Sequence, residues 1–241
     1  MKASVSDQRL ILNIQKFDQQ SATLKNKAAT LPELVEISTT TIKQNNVRDL
    51  RIAAETELSD VKRELARAEG DVEQIVTRIE RDEKRLASGT GTPKELEQTQ
   101  HELGTLGVRR SELEEVELEI MMRVDGIKDR ISALTIEENE LALVIADLNI
   151  RKENALAAIH TELEGIETDR KATSQSVGAE ILALYEKIRE SNGIGAAALA
   201  GNQCKGCNLT LNTIELQRIA GLAEDEVVRC EECRCILVRD K

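Results

Sequence analysis

The sequence predicts an all-α fold, an elongated antiparallel coiled-coil hairpin, followed by a small C-terminal domain of short β-strands. Three observations carry this reading. Ala, Leu, Glu, Lys and Arg supply 117 of the 241 residues, a usage typical of long helices and coiled coils. The chain has one phenylalanine, Phe17, one tyrosine, Tyr185, and no tryptophan. A globular core of this size normally depends on many buried rings, the side chains with the largest apolar surface. Finally, the composition changes after Asn192-Gly193, and all five cysteines lie beyond residue 203.

The longest periodic segment begins at Leu96. Alternating steps of three and four run from 96 to 166, and 15 of the 21 positions are apolar, among them Leu103, Leu113, Ile120, Val124, Ile127, Leu141, Leu148 and Ile159. An apolar stripe of period 3.5 sustained over this length is the coiled-coil pattern. A second stripe runs through Leu58, Val61, Leu65, Ala68, Val72, Ile75, Ile79 and Leu86. A third passes through Leu10, Ile14, Phe17, Leu24, Ala28 and Leu31.

Two breaks organise these stripes. Ser88-Gly89-Thr90-Gly91-Thr92-Pro93 is the densest cluster of turn-formers before residue 190, with Thr92 placed as an N-cap and Pro93 at the first helical position. It divides residues 6–175 evenly, so two arms of roughly 80 residues, about 120 Å each at 1.5 Å per residue, can fold back on one another. Pro32 removes a backbone donor and is expected to kink or restart the first helix near residue 32. The predicted organisation is a hairpin over residues 1–175 and a junction helix with a small domain over 176–241.

The formal charge is −11, which opposes a whole-chain footprint for nucleic acid or an anionic membrane. Residues 1–7 lack the apolar run of a signal peptide, and no segment approaches the roughly 20 apolar residues of a membrane span. The expectation is a cytoplasmic protein that does not engage membrane. Between Ser111 and Leu148 there are eleven acids against three bases, Arg123, Lys128 and Arg130. That segment is either a solvated flank or a docking face for a basic partner.

The chemical signal lies at the C-terminus. Cys204-Lys205-Gly206-Cys207 and Cys230-Glu231-Glu232-Cys233 are separated by 22 residues. Each C-x-x-C presents two sulfurs to one ion, and two such turns complete a tetrahedral thiolate shell. Cys204, Cys207, Cys230 and Cys233 are therefore expected to hold one structural Zn²⁺ in a zinc ribbon. Its small strands are predicted at Val227-Val228 and Ile236–Val238, with a short helix at Thr213–Ala220, and Gly193–Gln203 reads as a linker entering an edge strand. An iron–sulfur site or a redox pair is the competing use of such cysteines. Cys235 reads as a small strand residue.

Four thiolates leave no open coordination position for substrate. His101 and His160 lie on predicted helices with no nucleophile beside them, and neither a phosphate loop nor a paired-carboxylate pocket is visible. The expectation is a protein without catalytic residues.

With these features in place, the chain resembles the bacterial family of coiled-coil proteins with a C-terminal C4-type zinc ribbon. The resemblance rests on Leu184-Tyr185-Glu186-Lys187-Ile188-Arg189, Cys204-Lys205-Gly206-Cys207-Asn208, and Cys230-Glu231-Glu232-Cys233 with Ile236-Leu237. It implies a helical hairpin with the ribbon packed where the termini meet. It also implies an adaptor that contacts protein partners, such as an RNA polymerase sigma factor, flagellar-export components or another regulatory protein, or that contacts messenger RNA. Where the family carries Gly-Arg-Ile-Leu-Tyr after its last cysteine, this chain has Arg234-Cys235-Ile236-Leu237-Val238. The missing glycine costs about 1 kcal/mol if the backbone there is left-handed. The lost arginine and tyrosine remove a phosphate contact and a stacking platform, which weakens nucleic-acid binding as the alternative function.

Overall fold

The structure, a computed structural model, describes residues Met1–Arg239. It is a mostly helical coiled-coil hairpin with a small C-terminal strand region that holds the cysteines, as the composition and periodicity predict. The helices are α1 (Val5–Ala29), α2 (Pro32–Ala87), α3 (Pro93–Gln175), α4 (Ala179–Asn192) and α5 (Thr213–Ala220). The strands are β1 (Ala196–Ala200), β2 (Gln203–Cys204), β3 (Val228–Arg229) and β4 (Ile236–Arg239).

Proline restarts the first helix. Thr30 closes α1 by donating its N–H to the carbonyls of Asn26 and Lys27, at 3.0 and 3.3 Å. Pro32 then opens α2, where its missing N–H is no loss. At the hairpin turn Gly89 and Gly91 take φ of 66° and 139°, values that a side chain would resist. The Thr92 N–H reaches Glu95 Oε2 at 2.7 Å, and the Glu95 N–H returns to Thr92 Oγ1 at 3.4 Å. This is a capping box, and its hydrogen bonds hold the Glu95 carboxyl below the usual carboxylate range.

Two compact units are present: Val35–Asn149, and Met1–Leu34 together with Ile150–Lys241. In the first, α2 and α3 bury Ala54, Val61, Ile120, Val124 and Ile127, flanked by Leu58, Leu65, Ala68, Ile131 and Leu134. Ion pairs join the two helices: Arg51 Nε to Glu138 Oε2 at 2.8 Å, Arg123 Nη1 to Glu64 Oε2 at 3.0 Å, and Arg130 to Glu57. Residue numbers fall on α3 as they rise on α2, which is the antiparallel pairing. Along 96–166 every position of the 3.5-residue register is buried or half-buried except Arg110 and Glu162.

In the second unit, α1 and α4 pack on a four-stranded sheet of order β2-β1-β4-β3. β1 runs parallel to β4, with Ala196 opposite Ile236 and Ala198 opposite Val238, and β3 pairs antiparallel with β4. The reading of Gly193–Gln203 as a linker is corrected, because it holds the inner strand β1; the strand it enters, β2, lies at the sheet edge. Gly195, just before β1, allows close approach: a Cβ there would fall 2.4 Å from a Tyr185 ring carbon and 2.9 Å from the Tyr185 carbonyl oxygen. The strands foreseen at 227–228 and 236–238 sit at Val228–Arg229 and Ile236–Arg239, and α5 spans the predicted residues. Met1–Ala3, to which the periodicity assigned no element, pairs with the ribbon. The Ala3 N–H donates to Asp225 O at 2.8 Å and the Val227 N–H to Met1 O at 3.1 Å. No helix of the described residues is long and apolar enough to cross a membrane.

Candidate metal centre

The two C-x-x-C turns are built alike. In the first, the Asn208 N–H donates to Cys204 O at 2.8 Å and the Cys204 N–H to Leu209 O at 3.0 Å. In the second, the Arg234 N–H donates to Cys230 O and the Cys230 N–H to Cys235 O, each at 3.0 Å. Position for position, Asn208 matches Arg234 and Leu209 matches Cys235. The residue after each second cysteine has a left-handed backbone, with φ of 60° at Asn208 and 63° at Arg234. Asparagine tolerates this conformation, whereas a long side chain with a Cβ is strained in it. Arg234→Gly is therefore expected to raise ribbon stability by about 1 kcal/mol, and Asn208→Gly by less, as measured by thermal unfolding of the metal-loaded protein.

These turns bring Cys204, Cys207, Cys230 and Cys233 together, with all four sulfurs within 4.8 Å of one another. The Cys204–Cys233 and Cys207–Cys230 sulfur separations are both 3.9 Å. A disulfide needs about 2.05 Å, so these are free thiols. Metal–sulfur bonds near 2.3 Å arranged tetrahedrally give sulfur separations of about 3.8 Å. The four side chains therefore fit one thiolate-bound ion with little movement. Cys204 and Cys230 are buried, while Cys207 and Cys233 are half-buried.

Burial pushes the Cys233 thiol up to about 11 even though the Cys235 N–H favours its thiolate, and it raises the Cys235 thiol as well. Metal entry must therefore displace protons, and affinity should rise with pH. Around the sulfurs, Ala197, Leu199, Ile219, Val228 and Leu237 form the apolar layer. On the outer side Arg239 gathers the turn after α5, its Nη2 donating to the carbonyls of Ala223, Glu224 and Glu226 at 2.7, 3.1 and 3.0 Å.

A polar cluster joins the ribbon to the helices beside it. The Tyr185 hydroxyl, on α4, donates to Asp18 Oδ2 at 2.7 Å. Arg170 grips the same carboxylate through Nε at 2.7 Å and Nη2 at 3.1 Å, and it reaches Glu186 at 2.6 Å. Arg189 pairs with Glu186 at 2.9 Å. Gln15, on α1, accepts from the N–H groups of Gly195 and Ala196 at 2.7 and 3.2 Å, at the entry to β1. At the end of α4, the Asn192 side chain donates to Cys233 O at 3.1 Å. The LYEKIR segment thus acts structurally: Tyr185 and Ile188 fill the core, and Glu186 and Arg189 complete the ion pairs.

His101 and His160 are exposed on α3, as expected, and His160 Nδ1 lies 3.5 Å from Glu164 on the next turn. Cys235 departs from its reading as a strand residue. It precedes β4 by one position and places its sulfur 3.3 Å from Cys233 Sγ and 3.8 Å from Cys204 Sγ. The sequence reading also passed over Gln8 and Gln15, both nearly fully buried. Their spacing of seven, alongside Ile11 and Ile14, was the available signal that both occupy core positions.

Comparison with known proteins agrees with this architecture. The chain is 33% identical over 246 residues to the uncharacterized protein Rv2229c of Mycobacterium tuberculosis, covering 99% of this chain and 98% of the relative. It is 26% identical over 230 residues to the uncharacterized protein ML1638 of Mycobacterium leprae, covering 94% and 97%. A solved structure from Mycobacterium smegmatis superposes over 100% of both chains with a TM-score of 0.88 at 30% identity. CT398 from Chlamydia trachomatis shares the fold at a TM-score of 0.69 and 18% identity, over 98% of both chains. Residues 14–193, the helices from within α1 to the end of α4, match the family described as the CT398-like coiled coil hairpin domain. The chain belongs to that family.

Proposed function

We propose that the protein is a non-catalytic adaptor. Its ribbon is held by one structural zinc on Cys204, Cys207, Cys230 and Cys233, and its α3 arm receives a basic, helical segment of a protein partner. When bound, the ion supplies folding free energy to the ribbon. The side chains of the chain supply the recognition.

The observation that carries this reading is the outer face of α3. In the register that buries Ile120, Val124, Ile127 and Leu148, the positions turned away from α2 hold Glu112, Glu115, Glu119, Asp125, Asp129, Glu140 and Asp147, and no base. Interleaved with them are Leu118, Met122, Ile136 and Leu143, which are 60, 69, 56 and 72% exposed. The three bases of the segment are already engaged, Arg123 with Glu64, Arg130 with Glu57 and Lys128 with Asp125. A merely solvated flank does not require large apolar side chains at its outermost positions. An amphipathic helix with basic flanks would cover them and find complementary charge. A sigma factor of RNA polymerase or another regulatory protein is the partner class that the sequence resemblance implies. The ribbon favours a protein partner over nucleic acid, because Glu231 and Glu232 are exposed beside the second cysteine turn and no ring is available for base stacking.

The test is an affinity measurement with full-length bait. Asp125→Lys/Asp129→Lys/Glu140→Lys and, separately, Leu118→Ser/Leu143→Ser should each weaken capture of the partner about tenfold or more, with helical circular dichroism unchanged. Undiminished capture by both variants overturns the docking face. Capture of RNA that weakens steeply with salt would favour the nucleic-acid reading instead.

A further inference from the structure

Four cysteine sulfurs lie mutually close enough to share one ion, and a fifth thiol, Cys235, lies against one edge of that group. Cys235 Sγ lies 3.8 Å from Cys204 Sγ and 3.3 Å from Cys233 Sγ. The Cys204–Cys233 separation closes that triangle at 3.9 Å. Two of these three edges match the roughly 3.8 Å spacing within a tetrahedral thiolate shell, and the third is shorter. Cys235 is fully buried, its carbonyl is held by the Cys230 N–H at 3.0 Å, and its sulfur faces Cys204 and Cys233.

The opposite turn makes room for this sulfur. A Cβ on Gly206 would meet Ala197 Cβ at 3.1 Å and Cys235 Sγ at 3.3 Å. Gly206 has no positive φ, so what its missing side chain provides is space. The equivalent residue of the first turn is Leu209, which is 50% exposed and carries no sulfur. The extra thiol therefore serves only the Cys204–Cys233 edge. A residue needed merely for packing there could be any small apolar side chain.

We propose that Cys235 is a reserve metal ligand that takes the position of Cys233, or of Cys204, when either is lost. The exchange replaces one metal–sulfur bond by another: Cys235 releases its proton to solvent and donates a sulfur lone pair to the ion, so four thiolates are retained. This inference rests on the zinc reading of the centre and extends it to a fifth residue.

The experiment is a cobalt(II) titration of full-length protein, in which the sulfur-to-metal charge-transfer absorbance scales with the number of Co–S bonds. Wild type and Cys235→Ala should both give four-thiolate spectra at one cobalt per chain. Cys233→Ser should keep the four-thiolate intensity, whereas Cys233→Ser/Cys235→Ser and Cys207→Ser should each fall by about a quarter, one bond of four. Cys204→Ser serves as the second test of rescue. If Cys233→Ser and Cys204→Ser match the three-thiolate controls, or fail to bind cobalt or keep the ribbon folded, the reserve role is overturned while the four-cysteine site stands. If wild type itself takes up no metal, the zinc reading fails first.

Discussion

Stripping metal from the loaded protein with a chelator is expected to unfold the ribbon and leave the coiled coil intact. The apolar layer of the ribbon contains five aliphatic residues and three cysteines, Cys204, Cys230 and Cys235. Its strands are two to five residues long. A domain this small cannot offset the conformational entropy of its chain by burial alone. Structural zinc contributes on the order of 10–16 kcal/mol to comparable peptides near neutral pH, more than the whole stability of many small domains. The long helices α2 and α3 depend on a separate cluster around Ala54, Val61, Ile120, Val124 and Ile127. Far-UV circular dichroism should therefore keep most of its helical signal. The single tyrosine reports the other half of the prediction, because Tyr185 packs against Ala196, Ile236 and Val238. Its near-UV signal should collapse on chelation and return with zinc. An unchanged tyrosine signal after complete metal removal would mean that the ribbon folds without an ion.

The second large effect is expected at Tyr185. Its ring is fully buried among Ile11, Ile14, Ile181 and Ile188, and deleting such a ring costs about 3–5 kcal/mol. Tyr185→Ala should lower the unfolding free energy of this unit by that amount, read from the shift of its denaturation midpoint. Tyr185→Phe should cost less, about 1.5–3 kcal/mol, because it removes only the hydroxyl, with its hydrogen bond to the charged Asp18 and its longer contact with Gln15. Gly195→Ala tests the same contact from the opposite side. Its new methyl would collide with the ring and with the Tyr185 carbonyl, so the backbone of β1 must shift. Chemical denaturation followed by far-UV signal measures all three. A wild-type midpoint in Gly195→Ala would show that the close approach of β1 to α4 is not required.

Much of this protein is local in origin, and that part is legible without a structure. An apolar residue every three and a half positions can be buried only along a helix seam, so the stripes at 58–86 and 96–166 identify the paired arms. Gly89 and Gly91 supply the positive φ of the turn, and Thr92 with Glu95 caps the helix that follows. The paired C-x-x-C spacing names four cysteines because each turn closes through its own backbone hydrogen bonds within five residues. The family resemblance raises strain at Arg234 as a condition, and the structure meets it with a φ of 63°.

The remainder depends on groups far apart in sequence, and only the tertiary structure decides it. β1 is an inner strand because β4, some forty residues later, pairs with one of its edges while β2 pairs with the other. Gln15 is a core residue because two strand N–H groups some 180 positions away need an acceptor. The two arginines that flank the acids of α3 are neutralised because Glu57 and Glu64 of α2 engage Arg130 and Arg123. Cys235 comes to lie against Cys204 and Cys233 because the second turn buries the position that the first turn leaves exposed at Leu209. Period, turn chemistry and ligand spacing are encoded over a few residues; burial, charge neutralisation and the fifth thiol depend on which distant surfaces the folded chain brings into contact.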